Sequence, residues 1–346
     1  MWSFVTEIAY YGAISLLVSV SLYYPVKQLA KKFNLMDLPD ARKIHKKPTP
    51  RIGGVMIFVS FLLVYLIARK HSIVMPTTGF SKIWILVALC GSFLLGLADD
   101  VKNIRAYKKL FFQMLIGFIV AYAGLRIQSI TVLSYKLDLG IFSYLITALW
   151  VTALLNAVNL IDGMDGLASG ILIIVMGFTF VIGIIESNYF ASLVSGILLG
   201  SLLGFYIFNF PPAKIFMGDG GSYFLGCMYA IVSLLGMKKT SMAIMMAVPL
   251  VLLFLPIADI TYITFRRMKR KESIFKADKN HIHHRLLSLG LSVKQIIFLT
   301  YLVCISFGLI GILIALSGGK YGLIFFFLIM CLVMAGFGVI RILEKR

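Results

Sequence analysis

Acidic residues are scarce in this chain. Only 14 of its 346 residues are Asp or Glu, against 33 Lys and Arg, and charged residues make up just 14% of the whole. Cysteine is scarcer: Cys90, Cys227, Cys304 and Cys331 each sit inside an apolar run, and no CxxC pair occurs. That excludes a disulfide scaffold and a thiolate metal centre, leaving four small core residues. Short segments of alternating hydrophobicity are missing, which excludes a transmembrane β-barrel. The first apolar run starts near Val5 without a basic stretch or a small-residue cleavage site, so no removable signal is expected.

Apolar length is what the chain has. It is 60% hydrophobic, with a mean hydropathy of +0.96. Length alone would suggest two soluble domains, but runs near 20 residues recur, each the span of a membrane helix. The sequence therefore predicts an all-α polytopic integral membrane protein, a single transmembrane domain over 1–346. About eleven transmembrane helices are expected, at 4–25, 53–68, 83–98, 110–125, 141–161, 167–185, 190–208, 222–237, 241–265, 296–317 and 322–340. Of the Lys and Arg residues, 25 fall in one set of loops and 8 in the other. The richer set faces the cytoplasm, which puts the N-terminus outside and the C-terminus inside. Cytoplasmic loops then lie near 26–52, 99–109, 162–166, 209–221 and 266–295. The same distribution accounts for the formal charge of +19 without nucleic acid.

Against that background the few acids are informative. Glu7, Asp138 and Glu186 are the only ones on the outer side, whereas Asp99, Asp100, Asp162, Asp165 and Asp219 all fall where a span meets the cytoplasm. A cytosolic active site follows.

The central stretch runs from Asn156 to Ala168, with Asn156, Asn159, Asp162 and Asp165 at steps of three. On a helix such steps drift by about 60° each, so Asn156, Asn159 and Asp162 share a face. Gly163 and Gly166 then signal the end of the helix and a tight turn. A polar clamp between helices would need neither two carboxylates nor two glycines. The sharper reading is a metal, nucleotide or phosphate site at a membrane surface, where an unpaired charge is expensive.

Three further stretches carry chemistry. Asp99 and Asp100 are adjacent like charges that need a cation, a lysine such as Lys102, or a shared proton. Phe216-Met-Gly-Asp-Gly-Gly-Ser222 places glycines before a helix N-terminus, which suits either a plain turn or close backbone approach to phosphate, and Asp219 among them suits Mg²⁺. His281-Ile-His-His-Arg285 lies in a strongly basic loop. Its spacing matches no zinc pattern, and Arg285 can fork onto phosphate oxygens. The first loop adds Lys46 and Lys47 beside Pro-Thr-Pro-Arg-Ile-Gly-Gly54.

These motifs resemble, in order and over nearly the whole chain, the polyprenyl-phosphate N-acetylhexosamine-1-phosphate transferases. The resemblance rests on Pro-Thr-Pro-Arg-Ile-Gly-Gly54, Ala98-Asp-Asp100, Asn156 to Ala168, Phe216-Met-Gly-Asp219 and Ala277-Asp-Lys-Asn-His-Ile-His-His284. It implies transfer of N-acetylglucosamine-1-phosphate from UDP-N-acetylglucosamine to a polyprenyl phosphate such as undecaprenyl phosphate, releasing UMP, as the first membrane step of a cell-envelope glycan pathway. It also implies Mg²⁺ dependence, with Mn²⁺ as an alternative, a bacterial cytoplasmic membrane, and compatibility with a homodimer. By similarity, Asp219 is the principal metal ligand with Asn159 as partner. Asp99, Asp100 and Asp162 are catalytic. Phe216, Asp165 and Asn156 bind the nucleotide. His281, His283, His284, Arg285, Lys46 and Lys47 face the sugar-pyrophosphate. The sister branch, which transfers phospho-N-acetylmuramoyl-pentapeptide, tends to carry three adjacent histidines followed by Phe and Glu; His-Ile-His-His-Arg-Leu-Leu departs from that. A rival from another class is an ion-coupled secondary transporter. Such sites lie near the bilayer midplane within repeated halves, and this chain shows neither feature.

Overall fold

The computed structural model describes residues 2–37, 48–71, 81–132, 135–236 and 290–317. Ten helices lie within them: α1 (Trp2–Ser21), α2 (Tyr23–Lys32), α3 (Gly54–His71), α4 (Lys82–Lys102), α5 (Ala106–Tyr122), α6 (Phe142–Ile161), α7 (Leu167–Ile185), α8 (Tyr189–Asn209), α9 (Gly218–Gly236) and α10 (Val293–Leu316). Nine of the eleven expected spans fall on these helices; those at 241–265 and 322–340 lie outside the described residues. Among the described residues, six helical stretches are long and apolar enough to cross a membrane: α1 with α2, α4, α6, α7, α8 and α10. The chain is a mostly helical, polytopic membrane protein.

Two corrections concern the loops. The loop expected from residue 26 is helical as far as Lys32, because α2 carries α1 onward after a break at Leu22. Residues 36–37 then pair antiparallel with 49–50 as β1 (Met36–Asp37) and β2 (Thr49–Pro50). A second ribbon, β3 (Ser129–Val132) with β4 (Tyr135–Asp138), bridges α5 and α6. The chain is therefore not purely α-helical. Both ribbons are too short for period-two patterning to register, and they satisfy backbone groups in connections that would otherwise leave them unpaired.

α9 is the central helix. Residues 220–235 are buried throughout, so it is apolar on every side, as a helix enclosed by neighbours must be. α4 and α6 flank it, and α3 touches it near its start. A separate seam joins α1 to α8, and α7 lies between α8 and α10. Cys227 and Cys304 are buried, Cys90 is half-buried, and all three are free thiols. This agrees with their reading as core residues.

Candidate active site at the helix ends

The site forms where α4 and α6 end and where α3, α5, α7 and α9 begin. α6 runs without a charge to Ile161 and stops at Asp162, its C-cap. The turn that follows closes at Gly166, whose φ of +73° starts α7 from the left-handed region. The Asn-x-x-Asp-Gly pattern had marked this turn. Two residues absent from the expectations hold it. Asn209, at the end of α8, accepts from the Gly166 N–H (3.1 Å) and the Ser169 hydroxyl (2.6 Å) and donates to the Ile215 carbonyl (2.9 Å). Tyr301 of α10 donates to the Gly166 carbonyl at 2.6 Å.

The adjacent carboxylates of α4 lie in its last turn, both nearly fully buried. Asp100 accepts from the N–H groups of Asp219 (3.0 Å) and Gly220 (3.0 Å), and from Arg51 Nη2 at 3.3 Å. It thus caps α9 from another helix, satisfying two of the donors that a helix start leaves unpaired. Asp99 forms an ion pair with Lys109 of α5. It also accepts from the Ile104 N–H (2.7 Å) and the Tyr223 hydroxyl (3.4 Å). Lys102, one of the possible neutralising residues, is exposed. It shares the helix with the two aspartates, and the cations that reach them come from other segments.

Glycines at the start of α9 and on the helices facing it permit close packing. A methyl group on Gly54 would strike the Gly221 nitrogen, one on Gly96 the Asp219 carbonyl, and one on Gly218 the Arg51 carbonyl. Gly218 also has φ of +73°. These residues let α3, α4 and residue 51 approach α9, and the first N–H groups of α9 are taken by Asp100. The glycines serve approach of the protein's own backbone.

Asp219 stands at the centre. Its Oδ1 accepts from Asn159 Nδ2 at 2.7 Å, and its carboxyl lies within hydrogen-bonding reach of Asp99. Asn159 also donates to the Ser222 hydroxyl at 3.0 Å. Asp162 is half-buried. Burial pushes its carboxyl up to about 8, and the charges of Asp219, Asp100 and Asp165 push in the same direction. Among the described residues, four carboxylates (Asp99, Asp100, Asp162, Asp219) face two cations, Arg51 and Lys109.

The remaining expected residues divide. Asp165 accepts from the Ala213 N–H at 3.0 Å, which ties the 162–166 turn to the segment leading into Phe216. Phe216 is half-buried, and its backbone bridges Pro50 and Gly53. Asn156 does not reach the carboxylates. It faces α5, where it exchanges hydrogen bonds with Gln113. Steps of three rotate along a helix, and that drift separates Asn156 from Asn159. Lys46, Lys47, His281, His283, His284 and Arg285 lie outside the described residues. Sequence reasoning overlooked Gln113, Asn209, Tyr223 and Tyr301. A buried amide in a membrane helix, four residues from Lys109, is the one signal that could have flagged Gln113.

The donor set suits a hard divalent cation. Asp219, Asp162 and the Asn159 Oδ1 are all oxygen donors, and that Oδ1 accepts no hydrogen bond among the described residues. Among them no three carboxylate, His or Cys side chains converge into a ready-made metal cage. Mg²⁺ needs none, since it keeps waters and uses one or two carboxylates together with substrate phosphates.

Fold and site define a class: a polytopic α-helical membrane protein with a carboxylate-rich polar site where its helix ends meet. Residues 82–237, from the start of α4 to just past α9, match the family described as Glycosyl transferase family 4. Over 303 residues the chain is 34% identical to the Bacillus subtilis (strain 168) "Probable undecaprenyl-phosphate N-acetylglucosaminyl 1-phosphate transferase", covering 87% of this chain and 83% of that protein. It is 30% identical to the decaprenyl-phosphate N-acetylglucosaminephosphotransferase of Mycobacterium tuberculosis (strain ATCC 25618 / H37Rv), over 86% of this chain and 80% of that one. A phospho-N-acetylmuramoyl-pentapeptide-transferase of Streptococcus pyogenes is 32% identical, over 84% and 90%. The chain belongs to glycosyl transferase family 4, in its polyprenyl-phosphate N-acetylglucosamine-1-phosphate transferase branch.

Proposed function

We propose that this protein transfers N-acetylglucosamine-1-phosphate from UDP-N-acetylglucosamine to a polyprenyl phosphate, releasing UMP. The observation that carries the reading is the convergence of Asp99, Asp100, Asp162 and Asp219 with Arg51 and Lys109 at one end of the bundle. Phosphates and a cation are the ligands such a mixture of charges accommodates. The names of the Bacillus and Mycobacterium relatives and the His-Ile-His-His-Arg285 sequence favour N-acetylglucosamine over the muramoyl-pentapeptide.

Asp219 and Asn159, with Asp162, would hold Mg²⁺, which when bound neutralises charge on the UDP-sugar pyrophosphate. Arg51 and Lys109 hold Asp100 and Asp99 in place through their ion pairs. Phosphoryl transfer leaves little covalent work to the protein, so positioning accounts for most of its contribution. A phosphate monoester has its second pKa near 6 and is mostly dianionic at pH 7. Asp99 and Asp100 therefore serve to position groups more than to remove a proton. Asp165 and Phe216, tied together through the Ala213 contact, form the uracil side of the site. By the family resemblance, His281, His283, His284, Arg285, Lys46 and Lys47, which lie outside the described residues, would bind the sugar-pyrophosphate.

The excess of Lys and Arg in one set of loops of the sequence supports an orientation, for eleven spans, with the N-terminus outside and the site at the cytoplasmic face of a bacterial membrane. A cysteine at Ser187 should label from outside intact cells and one at Ser273 only after permeabilisation; the reverse pattern overturns that orientation. The function itself is tested by incubating purified protein with polyprenyl phosphate, Mg²⁺ and candidate UDP-sugars. UMP and a lipid-linked product should appear with UDP-N-acetylglucosamine and not with UDP-N-acetylmuramoyl-pentapeptide. No UMP with any UDP-sugar would refute the reading.

A further inference from the structure

One buried polar pair lies outside the carboxylate site yet one helical turn beneath it. Gln113 of α5 is 1% exposed. Its Oε1 accepts from Asn156 Nδ2 at 2.7 Å, its Nε2 donates to Asn156 Oδ1 at 3.4 Å, and Asn156 Nδ2 also donates to the Thr152 carbonyl at 2.8 Å. The two amides thus face each other reciprocally across the α5–α6 seam. The rest of that seam is held by close approach, since a methyl on Gly117 would strike the Ala148 backbone, and by the Thr152 hydroxyl on the Met114 sulfur at 3.4 Å. The amide pair is the part of the seam with fixed direction, and a shift of one helix along the other would leave both amides unpaired in an apolar surrounding.

Its position gives the pair a consequence. Four residues before Gln113, on the same face of α5, is Lys109, the ion-pair partner of Asp99. Three residues after Asn156 is Asn159, which holds Asp219. The Gln113–Asn156 pair therefore fixes the height and rotation of the two helices that deliver Lys109 and Asn159 to the carboxylates of α4 and α9. We propose that Gln113 is a positioning residue of the transfer reaction, and that Asn156 serves as its partner rather than as a nucleotide ligand. The pair sets Lys109 against Asp99 and Asn159 against Asp219. This rests on the transferase reading for its kinetic consequence but not for its structural one.

The test is a double-mutant cycle with shape-preserving variants, Gln113→Met and Asn156→Leu, measured for kcat, for KM toward UDP-N-acetylglucosamine and for melting temperature in detergent. Misplacing the site by a fraction of an ångström should lower kcat about 10- to 100-fold in each single variant, with KM changed less than about threefold. The double variant should be no slower than the slower single one, because each change removes the same interaction. The exchange Gln113→Asn with Asn156→Gln, which conserves both the amides and their combined length, should recover most of the activity. The clamp is overturned by Gln113→Met with kcat within twofold of wild type, by losses that multiply in the double variant, or by an Asn156→Leu effect falling on KM. A wild-type protein that releases no UMP refutes the transferase reading alone. The cycle on melting temperature still reads the pair, and additive shifts there reject it.

Discussion

Two seams of this molecule bring helix backbones close, and they do so for different ends. Between α1 and α8, Gly12, Gly196, Gly200 and Gly204 remove side chains from the contact. The buried hydroxyls there satisfy one another: Ser15 and Ser201 at 2.6 Å, and Ser19 on the Ser201 carbonyl at 2.8 Å. These three serines are paired within the seam, which is a small-residue membrane contact. Where α3, α4 and α6 meet the start of α9, glycines again permit the approach, but the polar groups do not balance. Four carboxylates meet two cations among the described residues, and Asp162 is driven toward its neutral form. Close packing alone therefore does not mark function; an excess of one charge inside it does.

The sharpest break between the two seams is expected at Asp219. Asp219→Ala removes the central oxygen donor while leaving the glycine contacts intact, so turnover should fall by at least about 1,000-fold with the melting temperature barely lowered. Retention of most UMP release at ordinary Mg²⁺ would remove Asp219 from the centre of the site. Asp100→Asn is next, and it should affect both properties. It replaces a charged acceptor of two backbone N–H groups and of Arg51 by an amide. A loss of about 1.5–3 kcal/mol of stability is expected from weakened charge-assisted bonds. Its loss of kcat should stay nearly constant from pH 6.5 to 9, as should that of Asp99→Asn; recovery at alkaline pH would instead identify a proton-removing base. Gly200→Ala lies wholly on the other seam, where the new methyl meets the Gly12 carbonyl. Overpacking should cost about 1–3 kcal/mol of stability, with kcat per folded molecule unchanged. A kcat loss there as large as at Asp100 would erase the distinction.

Much of the site could be read from residue order, because local features announce it. The Asn159-x-x-Asp162-Gly pattern marks a helix end whatever surrounds it, and acids in a membrane chain draw attention by cost alone. What stayed hidden was partnership across the fold. A cap is ordinarily sought in the residue before a helix, but the cap of α9 comes from Asp100, 119 positions away from the Asp219 N–H it accepts. Lys102 was the near candidate for the aspartate pair, whereas helix packing brought Lys109 and Arg51. The helical step of three put Asn156 on the same broad face as Asp162, and only the position of α5 shows that Asn156 turns to Gln113. Both short ribbons escaped notice, since two- and four-residue strands carry no readable period.

The smallest expected effect bears on the charge imbalance itself. Burial and the neighbouring carboxylates raise the Asp162 carboxyl from its ordinary 3.8 to about 8 in the folded protein. Between those values the folded chain keeps a proton that the unfolded chain releases. Without a divalent cation this group therefore makes the protein less stable as pH rises from about 4 toward about 8, with no further change above. A cation that takes the proton's place must compete with it, so its apparent affinity should weaken on acidification, by up to tenfold per pH unit for each proton displaced. If Mg²⁺ is present at about 100 times its Kd at pH 8, it adds about 2.7 kcal/mol; at pH 6, with affinity about 100-fold weaker, it adds only about 0.4 kcal/mol. The melting temperature in detergent should accordingly rise on adding Mg²⁺ by several degrees at pH 8 and hardly at all at pH 6. Asp162→Asn should flatten that dependence, and Gly200→Ala, on the α1–α8 seam, should preserve it. An equal Mg²⁺ shift at both pH values in the wild-type protein would mean that the excess carboxylate charge is not where the cation binds.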